Sequence, residues 1–206
     1  MRRVDVHEQQ PIRVVRRQRL RADFNDPCTL RALYARNLSA RHLDIGLGTG
    51  YYLDRVAFPV PDPAITLLDL NPNCLAMASA CIARYAPATV AADVLQPLPP
   101  LGRFGSAGLC YLLHCLPGTI PEKAVVFDHI RPLLSPGAKV FGATILQGDA
   151  PRSRPAQALM DFYNRKGVFS NAGDTLADLR EALTTRFTDV GVRMVGAVAL
   201  FEARAG

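Results

Sequence analysis

The sequence has no apolar run close to the ~20 residues that a membrane-spanning helix requires. Its first five residues carry two arginines instead of an apolar leader, and internal repeats and low-complexity tracts are also missing. Its five cysteines form no C-x-x-C pair, which argues against a zinc site and favours reduced thiols. We therefore expect a soluble, cytoplasmic protein that binds neither a metal nor a membrane, as a monomer or a homodimer.

Length and charge favour one domain with a basic N-terminal part. The 206 residues, 49% of them hydrophobic, are enough to bury one substantial core. The net charge of +6 belongs to residues 1–41, which contain ten arginines and four carboxylates, so the remainder is balanced. We predict a basic arm and a helix over 1–39, in the same domain as the main body over 40–206.

The arginine-rich arm has three interpretations. It follows a phosphate backbone, binds an acidic substrate, or is a solvated segment that packs on the core. Its densest part, from Arg13 to Arg21, has no lysine and no interleaved aromatic residue, unlike the grooves that hold nucleic acid. We therefore favour the solvated segment.

Alternating glycines stand out in residues 42–51, which run HLDIGLGTGY. The pattern predicts a buried strand that turns sharply into a helix. Glycines at 46, 48 and 50 permit positive φ and leave no Cβ between the backbone and a ligand, while the N–H groups of the helix point into the turn. The dinucleotide fingerprint would require a small third residue at position 51, where Tyr51 would separate strand and helix. A nicotinamide-dependent reductase is thus disfavoured.

The aspartate ahead of the glycines indicates which ligand the turn holds. A carboxylate repels a pyrophosphate, whereas it attracts a ligand with an ammonium or sulfonium group. The pattern D-x-G-x-G-x-G, formed by Asp44, Gly46, Gly48 and Gly50, resembles the first motif of the class I S-adenosylmethionine-dependent methyltransferases. This resemblance implies S-adenosylmethionine as the cofactor, with Asp44 near its methionine ammonium.

Strand and helix segments alternate over the first two thirds of the chain. Strands are predicted at 42–45, 64–70, 88–92, 106–112 and 139–146, and helices at 27–38, 51–57, 72–85 and 120–134. The alternation predicts a parallel, doubly wound sheet with right-handed crossovers. Helices at 155–166 and 175–187 should precede an antiparallel hairpin over 191–203. The resemblance implies an α/β, Rossmann-like sheet of seven mostly parallel strands, with helices on both faces and an antiparallel C-terminal strand.

Acidic residues lie at the ends of three successive predicted strands: Asp44, Asp69 and Asp93. Ligands of open parallel sheets bind beyond the carboxyl ends of the strands, so we expect these side chains to meet at one edge. Residues 65–72 and 92–94 resemble the family's second and third motifs, which implies that Asp69 binds both ribose hydroxyls and Asp93 the adenine amino group. A helix cap for Asp69 and a loop carboxylate for Asp93 are the structural alternatives.

The resemblance covers about residues 40–146, including 109–117 and 131–140 around strands four and five. Gly105 occupies a position that is often acidic in the family, and Cys110 one that is often asparagine. Contacts from this strand would then come from the backbone, and a non-catalytic module that binds S-adenosylmethionine is an alternative. The predicted cofactor-binding residues are Asp44, Gly46, Gly48, Gly50, Asp69, Leu70, Asp93, Val94 and Cys110.

The methyl acceptor must be held by residues outside these motifs. His114 follows strand four and is either a general base, because an imidazole titrates near neutrality, or part of the pocket wall. The other three histidines have weaker claims. Aromatic residues with an asparagine suit a planar or apolar small molecule, although core packing would explain the aromatic residues equally. The predicted substrate-binding residues are Tyr34, His114, Phe162, Tyr163, Asn164 and Phe169, with Phe24 from the arm.

Together these features predict an S-adenosylmethionine-dependent methyltransferase that acts on oxygen or nitrogen of a small molecule. The alternative within the enzyme class is an RNA or protein methyltransferase that uses the arginine-rich arm. Against it, the chain lacks the N/D-P-P-Y/F tetrad of enzymes that methylate amino groups. We expect a small-molecule acceptor as the partner, and not nucleic acid.

Overall fold

The computed structural model describes residues 27–148 and 154–206. The predicted basic arm, with Phe24, lies outside the described residues. The helices in the described part are α1 (Pro27–Asn37), α2 (Tyr51–Asp54), α3 (Pro72–Cys81), α4 (Ile120–Lys123), α5 (Val125–Ile130), α6 (Arg154–Arg165) and α7 (Leu176–Thr184). The strands are β1 (Arg41–Ile45), β2 (Ala64–Asp69), β3 (Ala88–Ala91), β4 (Phe104–Cys110), β5 (Leu134–Ile145), β6 (Thr188–Val195) and β7 (Val198–Arg204). Over these two stretches, no helix combines the length and the apolar character needed to cross a membrane.

The seven strands form one sheet in the order β3-β2-β1-β4-β5-β7-β6. Strands β1 to β5 pair in parallel, whereas β7 runs antiparallel to both β5 and β6. The strand order reverses between β1 and β4, and a crevice opens at their carboxyl ends in sheets of this kind. The predicted α/β, Rossmann-like sheet with an antiparallel C-terminal strand is therefore confirmed.

The side chains of β1 alternate between two apolar layers. Leu43 and Ile45 are buried in the layer that also contains Phe127 of α5. Because successive side chains of a strand point to opposite faces, His42 and Asp44 lie together on the other face. Tyr34 of α1 belongs to the apolar layer on that face. Two polar side chains thus share a buried strand face, where each needs a polar partner.

Helix α3 follows strand β2 and packs against the turn that follows β1, where Ala78 lies beside Gly50. The Asn71 side chain accepts a hydrogen bond from the Asn73 N–H at 2.9 Å, and Pro72 occupies the first helical position, where an N–H is not needed. Leu75 and Ala78 form its buried face. The predicted start at Pro72 is confirmed, and the helix ends at Cys81, earlier than predicted, before a short 3-10 turn.

Other predicted boundaries also differ from the structure, among them that of α2, which ends at Asp54, and that of α7, which ends at Thr184. The predicted helix over 120–134 is divided into α4, α5 and a 3-10 turn (Arg131–Leu133). The change to a 3-10 turn after α5 has a physical reason, because Pro132 lacks the N–H that would continue an α-helix. Strand β4 ends at Cys110, since Tyr111 has a positive φ of 63°. Strand β5 begins at Leu134, which pairs with the start of β4 ahead of a shift in register.

Candidate functional site

The turn between β1 and α2, residues 46–50, is the glycine turn, and its three glycines have φ values of 67°, 57° and 73°. A Cβ on Gly46 would lie 2.7 Å from Leu112 Cδ1, and one on Gly50 would lie 3.1 Å from Ala78 Cα. A Cβ on Gly48 would meet nothing within 4 Å. The packing of the chain itself therefore requires the outer two glycines, whereas Gly48 borders open space that a ligand can occupy.

Gly48→Ala is expected to weaken the binding of S-adenosylmethionine, the cofactor that the resemblance implies, about tenfold or more, because the new methyl group enters this open space. The left-handed backbone should also lower the unfolding free energy by about 1–2 kcal/mol. Titration calorimetry and chemical denaturation measure the two effects. Gly137→Ala is the matched control, since Gly137 has a φ of 72° and open space but lies at the start of β5, at the opposite edge of the sheet. Equal ligand affinities for the two variants would remove Gly48 from the site.

Asp69 ends β2 next to the glycine turn, where the Gly46 N–H donates to the Leu68 carbonyl at 3.0 Å. Its Oδ1 accepts from the Asn71 N–H at 2.8 Å and so turns the chain into α3. Burial raises the pKa of Asp69, while hydrogen bonds from the Asn71 and Leu70 N–H groups oppose that shift. Leu70 beside it is 68% exposed. A half-buried carboxylate next to an exposed apolar side chain suits the sugar and base of a nucleoside.

Asp93 follows β3 and reaches the same edge of the sheet. Its Oδ1 accepts from the Leu95 N–H at 2.9 Å, which is the geometry of the loop alternative. The Asp69 carbonyl accepts from the Ala92 N–H at 3.2 Å, so the ends of β2 and β3 are joined directly. Val94 is buried, and its carbonyl oxygen lies 2.9 Å from His129 Nδ1. The fold therefore brings the chain segments of both aspartates to the edge of the sheet where the glycine turn lies.

Asp44 lies beneath the glycine turn, with a side chain that is only 1% exposed. The Tyr34 hydroxyl donates to its Oδ1 at 3.5 Å. Burial, followed by the nearby Asp44 charge, raises the pKa of Tyr34. Tyr34 is 3% exposed and stacks on Tyr52, with 5.5 Å between ring centroids. Tyr34 therefore contacts Asp44 from α1 and is buried under the turn, and its predicted contact with the methyl acceptor stays a prediction.

The carboxyl end of β4 completes this edge. Cys110 is buried beside Tyr34 and Asp44, and burial raises the pKa of its thiol, so the sulfur stays protonated. Tyr111 follows in the left-handed region, which costs a bulky residue of order 1–3 kcal/mol and persists where the surrounding contacts require it. The next residue, Leu112, packs on Gly46. The strain therefore lies where the fourth strand meets the glycine turn.

His114 lies in a 3-10 turn (Leu113–Cys115) and is 3% exposed. Its ring meets Tyr111 and Phe169 edge-on, with centroid distances of 5.7 and 4.7 Å. Burial, followed by the charge of Lys123, lowers the pKa of His114 to about 4. The imidazole is therefore neutral at physiological pH and a weak proton acceptor, which favours the pocket-wall alternative over a base that titrates near neutrality.

The pH profile of kcat/KM should show no inflection from His114 between about pH 5 and 8. Because its pKa is depressed to about 4, the neutral form persists through this range and is lost only as the pH falls through about 4. The values of kcat/KM for the native protein and for His114→Gln, measured across this range, should differ in magnitude, but the two pH profiles should have the same shape. An inflection near neutrality that disappears in the variant would contradict a buried, neutral imidazole.

Aromatic residues from α6 and the loop after it cover His114. The rings of Tyr163 and Phe169 lie 5.0 Å apart, and the Ser170 N–H donates to the His114 carbonyl at 2.8 Å. Phe162 is 45% exposed. The structure thus brings His114, Tyr163 and Phe169 together, and leaves Phe162 at the surface.

Asn164 has a different surrounding from the one that we predicted. Its Nδ2 lies 2.9 Å from Asn171 Oδ1 and 2.9 Å from Gln147 Oε1, and its Oδ1 accepts from the Asn171 N–H at 3.2 Å. The Asn171 Nδ2 donates to the Ile145 carbonyl at 2.9 Å. The amide of Asn164 therefore links the loop after α6 to the end of β5. Both its Nδ2 and its Oδ1 take part in these hydrogen bonds.

No local pattern in the sequence indicates the buried ion pair on the acceptor side. Lys123 Nζ donates to Asp174 Oδ2 at 2.7 Å and also to the Ser170 carbonyl, and both charged side chains are 0% exposed. A lysine in a short helix normally indicates a solvated face, and its partner is 51 residues away. The position of His42 beside Asp44 could have been predicted from the sequence, since the two-residue spacing places both side chains on one strand face.

No family model matches the chain. The chain is 43% identical over 178 residues to the demethylluteothin O-methyltransferase of Streptomyces thioluteus, across 86% of this chain and 77% of the relative. It is 35% identical over 168 residues to the N-methyltransferase vrtF of Penicillium aethiopicum, across 81% of this chain and 70% of the relative.

A solved structure supports the topology. The N-methyltransferase NodS from Bradyrhizobium japonicum WM9, in complex with S-adenosyl-L-homocysteine, matches with a TM-score of 0.61 over 87% of this chain and 84% of NodS. At 16% sequence identity this likeness shows the fold alone. The assignment of the chain to a family therefore rests on the two sequence relatives.

Proposed function

Because the chain belongs to the class I S-adenosylmethionine-dependent methyltransferases, we propose that it methylates a hydroxyl oxygen of a planar or apolar small molecule. It is an enzyme that transfers a methyl group to oxygen or nitrogen of a small molecule. The choice of oxygen is supported by 43% identity to an O-methyltransferase, against 35% to an N-methyltransferase. The observation that carries the proposal is that the glycine turn, Asp69 and Asp93 meet at one edge of the sheet.

The residues at this edge fit S-adenosylmethionine. The space beside Gly48 is open, and Asp44 Oδ2 is buried without a hydrogen-bond partner among the described residues, which suits the ammonium of the ligand. Asp69 would hold the ribose hydroxyls and Asp93 the adenine amino group, with Leu70 against the base. When bound, S-adenosylmethionine supplies an electrophilic methyl group on a positively charged sulfur.

The remaining contribution of the chain is to orient the acceptor and exclude water, which is what an in-line displacement chiefly needs. Tyr163 and Phe169 form an apolar wall with His114. The buried Nδ1 of His114 has no hydrogen-bond partner within the part of the chain that the structure describes, so it is available to hold an acceptor hydroxyl by a hydrogen bond. A neutral imidazole of low basicity favours a phenolic or enolic hydroxyl, because such groups ionise more readily than alcohols.

Two measurements test the donor and the acceptor separately. Thermal shifts with S-adenosylmethionine, S-adenosylhomocysteine and NAD should show stabilisation by the first two alone. Methyl transfer from labelled S-adenosylmethionine is then measured on matched phenols, anilines and alcohols, and on RNA, with the phenols expected to react fastest. Fastest reaction of the anilines would overturn the choice of oxygen.

Two further outcomes favour the alternatives. Stabilisation by the donor without turnover of any acceptor would favour a non-catalytic binding module. Methylation of RNA, with affinity that falls steeply as salt rises, would favour a role for the arginine-rich arm.

A further inference from the structure

Strand β3, which leads to Asp93, has little support from the rest of the sheet. In the sheet that the described residues form, β3 is the end strand and pairs with β2. Its four residues are exposed or half-buried. A segment with few buried apolar contacts has low local stability. The direction of the Asp93 carboxylate therefore depends on contacts that the loop after β3 makes outside the sheet.

The peptide group between Val94 and Leu95 is held at both of its ends. Its nitrogen, the Leu95 N–H, donates to Asp93 Oδ1 at 2.9 Å. Its oxygen, the Val94 carbonyl, lies 2.9 Å from His129 Nδ1, and because a carbonyl oxygen can only accept, the imidazole donates this hydrogen bond. A peptide group is planar, so fixing its oxygen also fixes the direction of its N–H. One rigid group therefore connects His129 to the Asp93 carboxylate.

This peptide is the central one of a turn. The Gln96 N–H donates to the Asp93 carbonyl at 3.0 Å, which closes a four-residue turn. The common turn types I and II differ by a rotation of the central peptide, which reverses its N–H and its carbonyl. In the reversed orientation the Leu95 N–H would point away from the carboxylate. The hydrogen bond from His129 favours the orientation in which the Leu95 N–H holds Asp93.

Helix α5 gives His129 a fixed starting point. Phe127, two residues earlier, is 0% exposed and meets Phe187 edge-on, with 5.7 Å between ring centroids. Asp128 accepts from Nε and from Nη2 of Arg186, each at 2.9 Å. The residues just before His129 are thus tied to the core and to the segment after α7. The imidazole can therefore hold the loop without moving with it.

We propose that His129 is a positioning residue of the adenine subsite. Through the peptide between Val94 and Leu95 it sets the direction of the Asp93 carboxylate, and so the preference of the site for a base that carries an amino group. The effect on the ligand rests on the proposed function, in which Asp93 accepts a hydrogen bond from the adenine amino group. The contact within the loop uses Oδ1, so Oδ2 is the oxygen that would face the base.

The preference for the base is measured with two ligands that differ at one position. S-adenosylhomocysteine has an amino group on its base, whereas S-inosylhomocysteine has a carbonyl oxygen there, which a carboxylate repels. In titration calorimetry, native protein should bind the first ligand about tenfold more tightly or better. His129→Leu should lower this ratio of affinities about threefold to tenfold, because the carboxylate is no longer held toward the amino group.

Two control variants make the ratio specific to this contact. His129→Asn keeps a donor, because its Nδ2 is as many bonds from Cβ as the imidazole Nδ1, and it should retain most of the native ratio. Lys139→Met removes a side-chain hydrogen bond to another backbone carbonyl, that of Arg36, near the start of the parallel strands. It should leave the ratio unchanged. A merely structural role of His129 would weaken both ligands equally in His129→Leu, and that outcome would overturn the proposal.

Hydrogen exchange of the full-length protein without ligand reports on the loop alone. The Leu95 amide should exchange faster in His129→Leu than in native protein and in His129→Asn, because its hydrogen bond to Asp93 forms less often. An unchanged exchange rate would contradict the hold of His129 on the loop. If native protein binds neither ligand, the proposed function fails, and the exchange rates still decide whether His129 orients the peptide. Equal binding of the two ligands by native protein would remove Asp93 from the base and overturn the role in specificity.

Discussion

Lys123→Met is expected to lower the free energy of unfolding by about 3–5 kcal/mol, the cost of leaving one partner of a buried ion pair alone. Lys123 and Asp174 are both 0% exposed, and their Nζ and Oδ2 atoms lie 2.7 Å apart. Burial lowers the pKa of Lys123 and raises that of Asp174, while each charge opposes the shift of the other. Each charge therefore stabilises the ionised form of the other.

The pH dependence of this loss has a definite sign. Without Lys123, the folded-state pKa of Asp174 rises further, so the folded protein binds more protons than the unfolded chain above the ordinary carboxyl pKa. Stability of the variant relative to the native protein then falls as the pH rises and recovers toward about pH 4. Denaturation at pH 4, 6 and 8 measures this trend.

Two control variants separate the ion pair from a general loss of packing. The double variant Lys123→Met with Asp174→Leu should recover most of the stability, because an apolar pair replaces the buried charges. Asp189→Asn removes the partner of Arg204 in a pair whose side chains are 74% and 48% exposed, and should cost less than about 1 kcal/mol. A loss of similar size in Lys123→Met and Asp189→Asn would contradict the account of a buried charge.

The pair also affects the acceptor side of the site. Lys123 donates to the Ser170 carbonyl, and the Ser170 N–H donates to the carbonyl of His114. Phe169 is thereby held against the His114 ring at a centroid distance of 4.7 Å. A charge on α4 thus fixes the wall that would orient a methyl acceptor, some distance from the donor residues at the glycine turn.

Much of the donor side could be predicted from the sequence because its signals are local. The strand ending at Asp44, the alternating glycines and the Asn71-Pro72 helix start each depend on a few neighbouring residues, and the structure contains all three. The strand order then brings the chain segments of Asp69 and Asp93 together. Conformational freedom at glycine and capping at asparagine are properties of short segments, so they survive without tertiary information.

The acceptor side could not be predicted in the same way, because its contacts are long-range. Asn164 and Tyr34 have the residue types of a binding pocket, yet one ties the loop after α6 to β5 and the other supports Asp44. The low pKa of His114 likewise comes from burial and from Lys123, neither of which the local sequence shows. Residue type indicates which contacts are available, and only the packing of distant segments decides which are made.

Asp69→Ala is expected to weaken S-adenosylhomocysteine binding by about 3 kcal/mol, or more than a hundredfold. In the proposed site this carboxylate holds two ribose hydroxyls, and hydrogen bonds to a charged group contribute about 1.5–3 kcal/mol each. Burial raises the pKa of Asp69, so a partly desolvated acceptor is already present before the ligand binds. Calorimetry with S-adenosylhomocysteine and with S-adenosylmethionine measures the loss for product and donor.

Asp69 also accepts from the Asn71 N–H at 2.8 Å, so a loss of binding alone would not separate ligand contact from local structure. Asp69→Asn keeps an acceptor for this N–H and removes the charge. It should retain the fold, and its loss of binding free energy should be about half of that in Asp69→Ala. Asp62→Ala removes an exposed carboxylate from the loop before β2, at the opposite end of the same strand, and should leave the affinity unchanged. If Asp69→Ala binds like Asp62→Ala, the carboxylate serves only the turn into α3. If Asp69→Asn already weakens binding while its thermal stability stays level, the charge of Asp69 acts on the ribose itself.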